Sequence, residues 1–428
     1  MIFSRLHKLS ALADVTLFPL YRWAIRRELF KCAAILVSLT IFALNGRRQV
    51  RLLFFDRSIF RLDLETMASV SGRVQYVGVS RKYFKEILNL YFRDLEFSET
   101  TYHHDQALIL AKKQTQIALE QILLVLHRLC GFDGVISCNF GYTDQQEIFR
   151  IAREKKWPVI ILYKEGLAQR RHLGQLFREY RKKYLNCDLL LCYNDDLASY
   201  FHSSNMPGAA GTIIKAVGIP RLDILRDSAQ SKPGGRVVLF SFFPDDKFAL
   251  IKDSERRKVD HVATDFHENV VRLALENPGL SVVIKTKTAP QYLSYVDGII
   301  ERTIGDRKVP PNLRVTNEGT SLSLIKESAV VLGSQSTTLI EGLLAGRLVG
   351  CPAFPERYET DHDFLPPDVT GIRKISTYGS LVELVKESLE DRSLTKPINS
   401  RGLEDLIFAT DFNSSVRAED EILKLISS

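Results

Sequence analysis

The chain has 428 residues, 45% hydrophobic and 25% charged, which excludes a disordered or fibrous protein and leaves room for two or three domains with their own cores. Its net charge is +7, but residues 1–51 hold nine Lys and Arg against Asp14 and Glu28, and the rest is balanced at 49 basic and 49 acidic residues. A nucleic-acid enzyme carries its basic excess across the working domain, so nucleic acid is excluded as a partner and an anionic membrane surface is expected at the N-terminal segment.

Residues 1–46 alternate basic residues with Phe18, Leu20, Tyr21, Trp23 and Ile25. A helix of this kind lies in a membrane interface or packs on the first domain, and the sequence leaves both open. The apolar run Ala33–Leu44 is shorter than the ~20 residues a spanning helix needs. From Arg51 short apolar strands alternate with amphipathic helices. Strands are expected at Leu52–Phe55, Val74–Val79, Gly134–Cys138, Val159–Tyr163, Leu189–Tyr193 and Ile213–Val217. Helices are expected between them, the longest over Ala107–Leu129. Such alternation makes a parallel sheet covered on both faces. Residues 228–235, SAQSKPGG, read as a linker. The alternation then restarts with strands at Val237–Phe242, Val282–Lys285 and Leu313–Thr316, and ends in helices at Leu381–Leu389 and Ala418–Ile426. The chain therefore reads as an N-terminal arm (1–46), a Rossmann-like domain (47–227), the linker, a second Rossmann-like domain (236–400) and a C-terminal helical segment (401–428) that can cross back onto the first domain. The six cysteines form no C-x-x-C pair and read as buried thiols in a reducing compartment.

The stretch Val330–Phe354 carries the chemistry. Val330–Leu332 is a strand, Gly333 to Thr337 (GSQST) a polar turn that can cap a helix, and Leu339, Ile340, Leu343 and Leu344 fall at helical spacing before Gly346. Backbone N–H groups at such a turn suit a phosphate, and Glu341, one turn on, can accept bonds from ribose hydroxyls. The same local pattern also serves an ordinary, well-capped connection. Gly218–Asp223, GIPRLD, stands before the linker as a Pro-fixed hinge whose Asp223 can pair with Arg221 or cap the next helix.

Two such domains, GIPRLD, and G-S-x-S-T-x-x-x-E-x-L-x-x-G together resemble the GT-B glycosyltransferases, most of all the bacterial enzymes that build capsule and lipopolysaccharide. The resemblance runs from about Arg51 to the C-terminus in layout and rests on few specific residues. It implies a nucleotide sugar held by the second domain and a glycan or glycolipid acceptor held by the first, with strand ends facing a cleft. Ser334, Gln335, Ser336 and Thr337 would hold the donor phosphate and Glu341 the ribose. Relatives often carry Lys-x-His-Pro after the second strand of the donor domain. Here Lys285-Thr286-Lys287 stands instead, leaving Lys285 and Lys287 as cations for a diphosphate or a sugar carboxylate. Such enzymes generally work without a metal or cofactor, so neither is expected. They would work in the cytoplasm, peripheral on the inner face of the cytoplasmic membrane.

An inverting transfer needs a carboxylate to take the acceptor proton. Glu165, in Tyr163-Lys164-Glu165-Gly166 after a first-domain strand, is the candidate. It reads equally as half of a solvated Lys–Glu pair. Asp144, beside Asn139–Thr143 (NFGYT), is the reserve candidate. Three other readings share the layout: a non-hydrolysing sugar-nucleotide epimerase, a polyol-phosphate transferase, and a membrane-recruited scaffold with a degenerate nucleotide site.

Overall fold

The computed structural model describes residues 15–164, 182–229, 234–242, 253–334, 336–353, 369, 371–390 and 401–427. The chain forms two compact units, residues 1–223 with 405–428, and residues 224–404.

The first unit is built on β1 (Phe42–Ala43), β2 (Val50–Asp56), β3 (Val74–Ser80), β4 (Gly134–Ser137), β5 (Val159–Leu162), β6 (Leu189–Cys192) and β7 (Ile213–Ala216). They lie in the order β1-β3-β2-β4-β5-β6-β7, all parallel except β1, which pairs antiparallel with β3. Period-two alternation sorts β2 between two cores: Leu53 and Phe55 enter one, Leu52 and Phe54 the other. Helices Arg81–Phe92, Ile109–Cys130 and Thr143–Glu154 supply the first core, and helices Ser58–Val70 and Ser414–Ser427 the second. The sheet is thus covered on both faces.

The N-terminal segment is no free arm within its described part. Tyr21, Ala24, Ile25, Phe30, Ala33, Ala34 and Val37 are buried in the first of these cores. The Tyr21 hydroxyl donates to the Tyr83 carbonyl at 2.7 Å, and Arg22 pairs with Glu86 at 2.7 Å. Buried side chains at helical spacing give residues 15–38 an inward stripe that only packing can satisfy. The described residues contain no helix long and apolar enough to cross a membrane.

The C-terminal helix does return to the first unit. Glu419 is fully buried and accepts from Ser71 Oγ (2.6 Å), the Arg73 amide (2.8 Å) and Tyr76 Oη (2.9 Å). Asp223 caps this helix across 192 residues, accepting from the amides of Ser414 (3.2 Å) and Ser415 (2.6 Å). The helix it caps here, Ser414–Ser427, lies far along the chain from the segment that follows GIPRLD. Gly218 sits at φ 87°, and a Cβ there would stand 2.3 Å from Ser414 Oγ, so glycine is what lets GIPRLD lie against the helix start. These bonds explain why the unit boundary falls at Asp223, ahead of the linker read from composition.

The second unit holds β8 (Arg236–Phe240), β9 (Ser281–Lys285), β10 (Leu313–Thr316), β11 (Ser328–Leu332), β12 (Leu348–Pro352) and β13 (Ile372–Ile375), all parallel, in the order β10-β9-β8-β11-β12-β13. Numbered within the unit this is 3-2-1-4-5-6, the order of dinucleotide-binding sheets. The helix Pro290–Ile304, with Pro290 at its first turn, and strand β13 were not read from the sequence.

Candidate functional site

In a 3-2-1-4-5-6 sheet the crossovers change direction between the first and fourth strands, which leaves a crevice beyond their C-terminal ends. Here those strands are β8 and β11. Beyond β11 the Gly333 amide still donates to the Gly350 carbonyl at 3.2 Å, extending the ladder. Ser334 follows, 1% exposed, and its Oγ makes no hydrogen bond among the described residues. A buried hydroxyl without a partner is uncommon in a folded protein. Ser336, in extended conformation at φ −132° and ψ 147°, caps the helix Thr337–Leu344, its Oγ accepting from the Thr338 amide at 3.3 Å. Thr337 Oγ1 donates to Glu341 Oε1 at 3.4 Å, and Glu341 is buried within the first turn and a half. The helix packs close on its strands: a Cβ at Gly342 would meet Val331 and Val349 at 3.1 Å. That close packing aims the positive end of the helix at the switch point.

Ser334, Ser336, Thr337 and Glu341 thus come together as the sequence suggests. Gln335 lies outside the described residues. The two lysines make contacts of their own within the unit. Lys285 Nζ donates to the carbonyls of Asn317 (2.6 Å) and Thr286 (3.2 Å). Asn317 follows β10, the edge strand on the far side of β9, so this ammonium is drawn away from β8. Burial pushes its pKa down. Lys287 Nζ reaches Tyr292 Oη at 3.2 Å and stands over that ring. Between them the sequence reading overlooked Thr286, buried at the end of β9 with an Oγ1 that makes no hydrogen bond among the described residues. β9 and β11 flank β8, so the two residues follow strands that lie two strand spacings apart, about 10 Å between backbones.

β8 is followed by Ser241, whose hydroxyl lies 3.0 Å from His267 Nε2, while His267 Nδ1 lies 2.7 Å from the Ala263 carbonyl. The carbonyl can only accept, so Nδ1 carries the proton and Nε2 accepts from Ser241. His267 is fully buried, and burial lowers its pKa from 6.5 to about 4. The unfolded chain therefore binds a proton that the folded chain refuses between those values. Stability from this group is complete above pH 6.5 and falls by about 1.4 kcal/mol per pH unit toward pH 4. Urea titrations across this window should show His267→Phe losing about one proton's worth of that slope; an unchanged slope would place the titration elsewhere.

In the first unit the corresponding strand ends gather charge. Lys164, after β5, lies 3.7 Å from Asp63 Oδ2, and Arg221 lies 3.6 Å from Asp63 Oδ1. Arg221 also donates to the Tyr193 hydroxyl at 2.8 Å. Burial, only partly opposed by Asp63, lowers the Lys164 pKa to about 8. Asp63 was missed in the sequence, although a signal exists: it falls on the same helical face as the buried Phe60, Leu64 and Met67. Asp144 is clamped by both arms of the Arg81 guanidinium, which stacks on Tyr142 at 4.0 Å. To reach an acceptor hydroxyl this carboxylate would have to part from Arg81. Glu165 lies outside the described residues. Among the described residues no group of three or more His, Cys, Asp or Glu is placed to hold a metal.

No family model matches the chain, and no curated protein matches its sequence. Solved structures do share its fold. A UDP-GlcNAc 2-epimerase from Neisseria meningitidis, bound to UDP-GlcNAc, aligns with TM-score 0.50 at 13% identity over 88% of this chain and 99% of that one. A putative UDP-N-acetylglucosamine 2-epimerase from Listeria monocytogenes aligns with TM-score 0.52 at 9% identity over 89% and 97%. A further UDP-N-acetylglucosamine 2-epimerase gives 0.52 at 12% over 88% and 96%. The expected pair of Rossmann-like domains, the GT-B type of fold, is therefore observed. At such identities the likeness speaks for the fold alone.

Proposed function

We propose that the chain is a glycosyltransferase that takes a sugar from a nucleotide-activated donor bound at the second unit's switch point and passes it to a surface glycan or glycolipid. The observation that carries this reading is Ser334: a buried hydroxyl with no hydrogen bond among the described residues, beside a Ser336-capped helix N-terminus. That is a ready site for a diphosphate, with Ser334 donating to a phosphate oxygen and Glu341 accepting from ribose. In the transfer the acceptor hydroxyl oxygen attacks the anomeric carbon. The bond to the diphosphate breaks, and the leaving nucleoside diphosphate takes the electron pair into the field of the helix. Glu165 is the proposed base that receives the hydroxyl proton. The capsule or lipopolysaccharide role belongs to the same proposal and rests on the sequence resemblance, and the cytoplasmic membrane face rests on the basic excess of residues 1–51.

Ser334→Ala should weaken nucleotide binding by about 1.5–3 kcal/mol, the worth of one hydrogen bond to a charged group. The melting temperature should not change, because the hydroxyl bonds nothing among the described residues. Calorimetric titration with UDP-, GDP-, CMP- and CDP-sugars reads this directly. Equal affinity in wild type and variant for whichever donor binds would displace the site. Ser336→Ala should also weaken binding, at an added cost of about 1 kcal/mol of stability through the lost cap.

A second reading, sugar-nucleotide epimerisation, is favoured by the three shared-fold structures, each described as a UDP-GlcNAc 2-epimerase. Incubation with UDP-GlcNAc and no acceptor separates the two. Conversion to the 2-epimer supports the epimerase, and an unchanged sugar that is transferred only when an acceptor is added supports the transferase.

A further inference from the structure

The helix over residues 15–26 buries Tyr21, Ala24 and Ile25 and turns the opposite face outward. At 100° per residue, Trp23 sits near the middle of that outer face, flanked by Leu20, Arg26 and Arg27. A solvated outer face should be polar, yet Trp23 is 56% exposed and Leu20 54%. Pro19, Arg22, Trp23, Arg26 and Arg27 line an open depression of about 280 Å³. Arg22 is held by Glu86, whereas Arg26 and Arg27 project into solvent. The next helix, Phe30–Ser38, continues the pattern with exposed Lys31, Ile35 and, at its end, Leu39.

Single exposed apolar residues are ordinary on a protein surface. An indole ringed by arginines, in the segment that holds the chain's whole charge excess, is a different arrangement. Trp rings settle at the headgroup level of a bilayer, with an apolar body and a polar N–H, while arginine extends its stem along apolar surface and pairs its guanidinium with phosphate. We infer that this outer face docks on an anionic phospholipid bilayer, with Trp23 and Leu20 in the interface and Arg26 and Arg27 on lipid phosphates. The packing of residues 15–38 into the first core fixes the direction in which this face looks, so docking orients the folded domain rather than tethering it. The inference rests on the N-terminal helices alone and holds whichever reaction the chain performs.

Sedimentation of the full chain with vesicles of phosphatidylcholine containing phosphatidylglycerol, against phosphatidylcholine alone, tests it at low and high salt. Wild-type protein should pellet with the anionic vesicles and be released by salt. At about fivefold per basic residue, Arg26→Gln with Arg27→Gln should lower partitioning roughly 25-fold. Trp23→Ala should lower it severalfold and abolish quenching of its fluorescence by brominated lipid. All three side chains are exposed, so melting temperatures should match the wild type. Undiminished binding by both variants, equal binding to neutral vesicles, or stabilisation by inorganic phosphate without vesicle binding would each overturn the proposal.

Discussion

Glu165→Gln should lower turnover by about 10²–10⁴ while leaving donor affinity almost unchanged, because a general base contributes that much and does not hold the nucleotide. The amide keeps the shape of the side chain but cannot take the proton, so the acid limb of the pH–rate profile should vanish with the rate. The structure narrows the competition for this role within the first unit. Asp144 is clamped by Arg81, and Asp63 is buried between Lys164 and Arg221. Lys164 lies 3.7 Å from Asp63 Oδ2, and Glu165 itself lies outside the described residues. Single-turnover rates with a saturating donor decide the point. Near-normal turnover would make Glu165 structural and remove the strand-end carboxylate from the mechanism.

Asp63→Ala should destabilise the first unit by about 3–5 kcal/mol, the cost of leaving buried cations without their shared carboxylate. Asp63 side-chain exposure is 1%, and Arg221 and Lys164 are at 8% and 16%, so water cannot replace the lost charge. The effect should depend on pH in a defined direction. The Lys164 pKa is depressed to about 8 from 10.5. The burden of its buried ammonium is thus fully present below pH 8 and is relieved as pH rises toward 10.5. Without Asp63 the ammonium is still less favoured, so Asp63→Ala should lose less stability at pH 9 than at pH 7. Urea unfolding at the two pH values measures both. A loss below 1 kcal/mol would mean that the cluster relaxes into solvent.

Local elements were readable because their code is local. Leu52–Phe55 is a continuous apolar run that appears within β2, Leu339, Ile340, Leu343 and Leu344 mark one helical face behind a Ser336 cap, and runs and faces of these two kinds alternate along the chain. Two doubly wound domains follow from that alternation alone. The pairings that shape the candidate site were not readable, since each joins residues far apart in the chain. Strand order, and with it the switch point between β8 and β11, is set by crossovers that no local period encodes. Lys285 meets the Asn317 carbonyl only because β10 pairs beside β9, a neighbour that no local pattern announces. Asp223 finds its amides at Ser414 and Ser415, and Asp63 its cations 101 and 158 residues away. The N-terminal segment shows both halves of the division. Its basic and aromatic composition was plain in the sequence, but only packing against Tyr83 decided that Tyr21 turns inward and leaves Trp23 facing out, because burial selects one face of a helix and the partner surface is supplied by the rest of the fold.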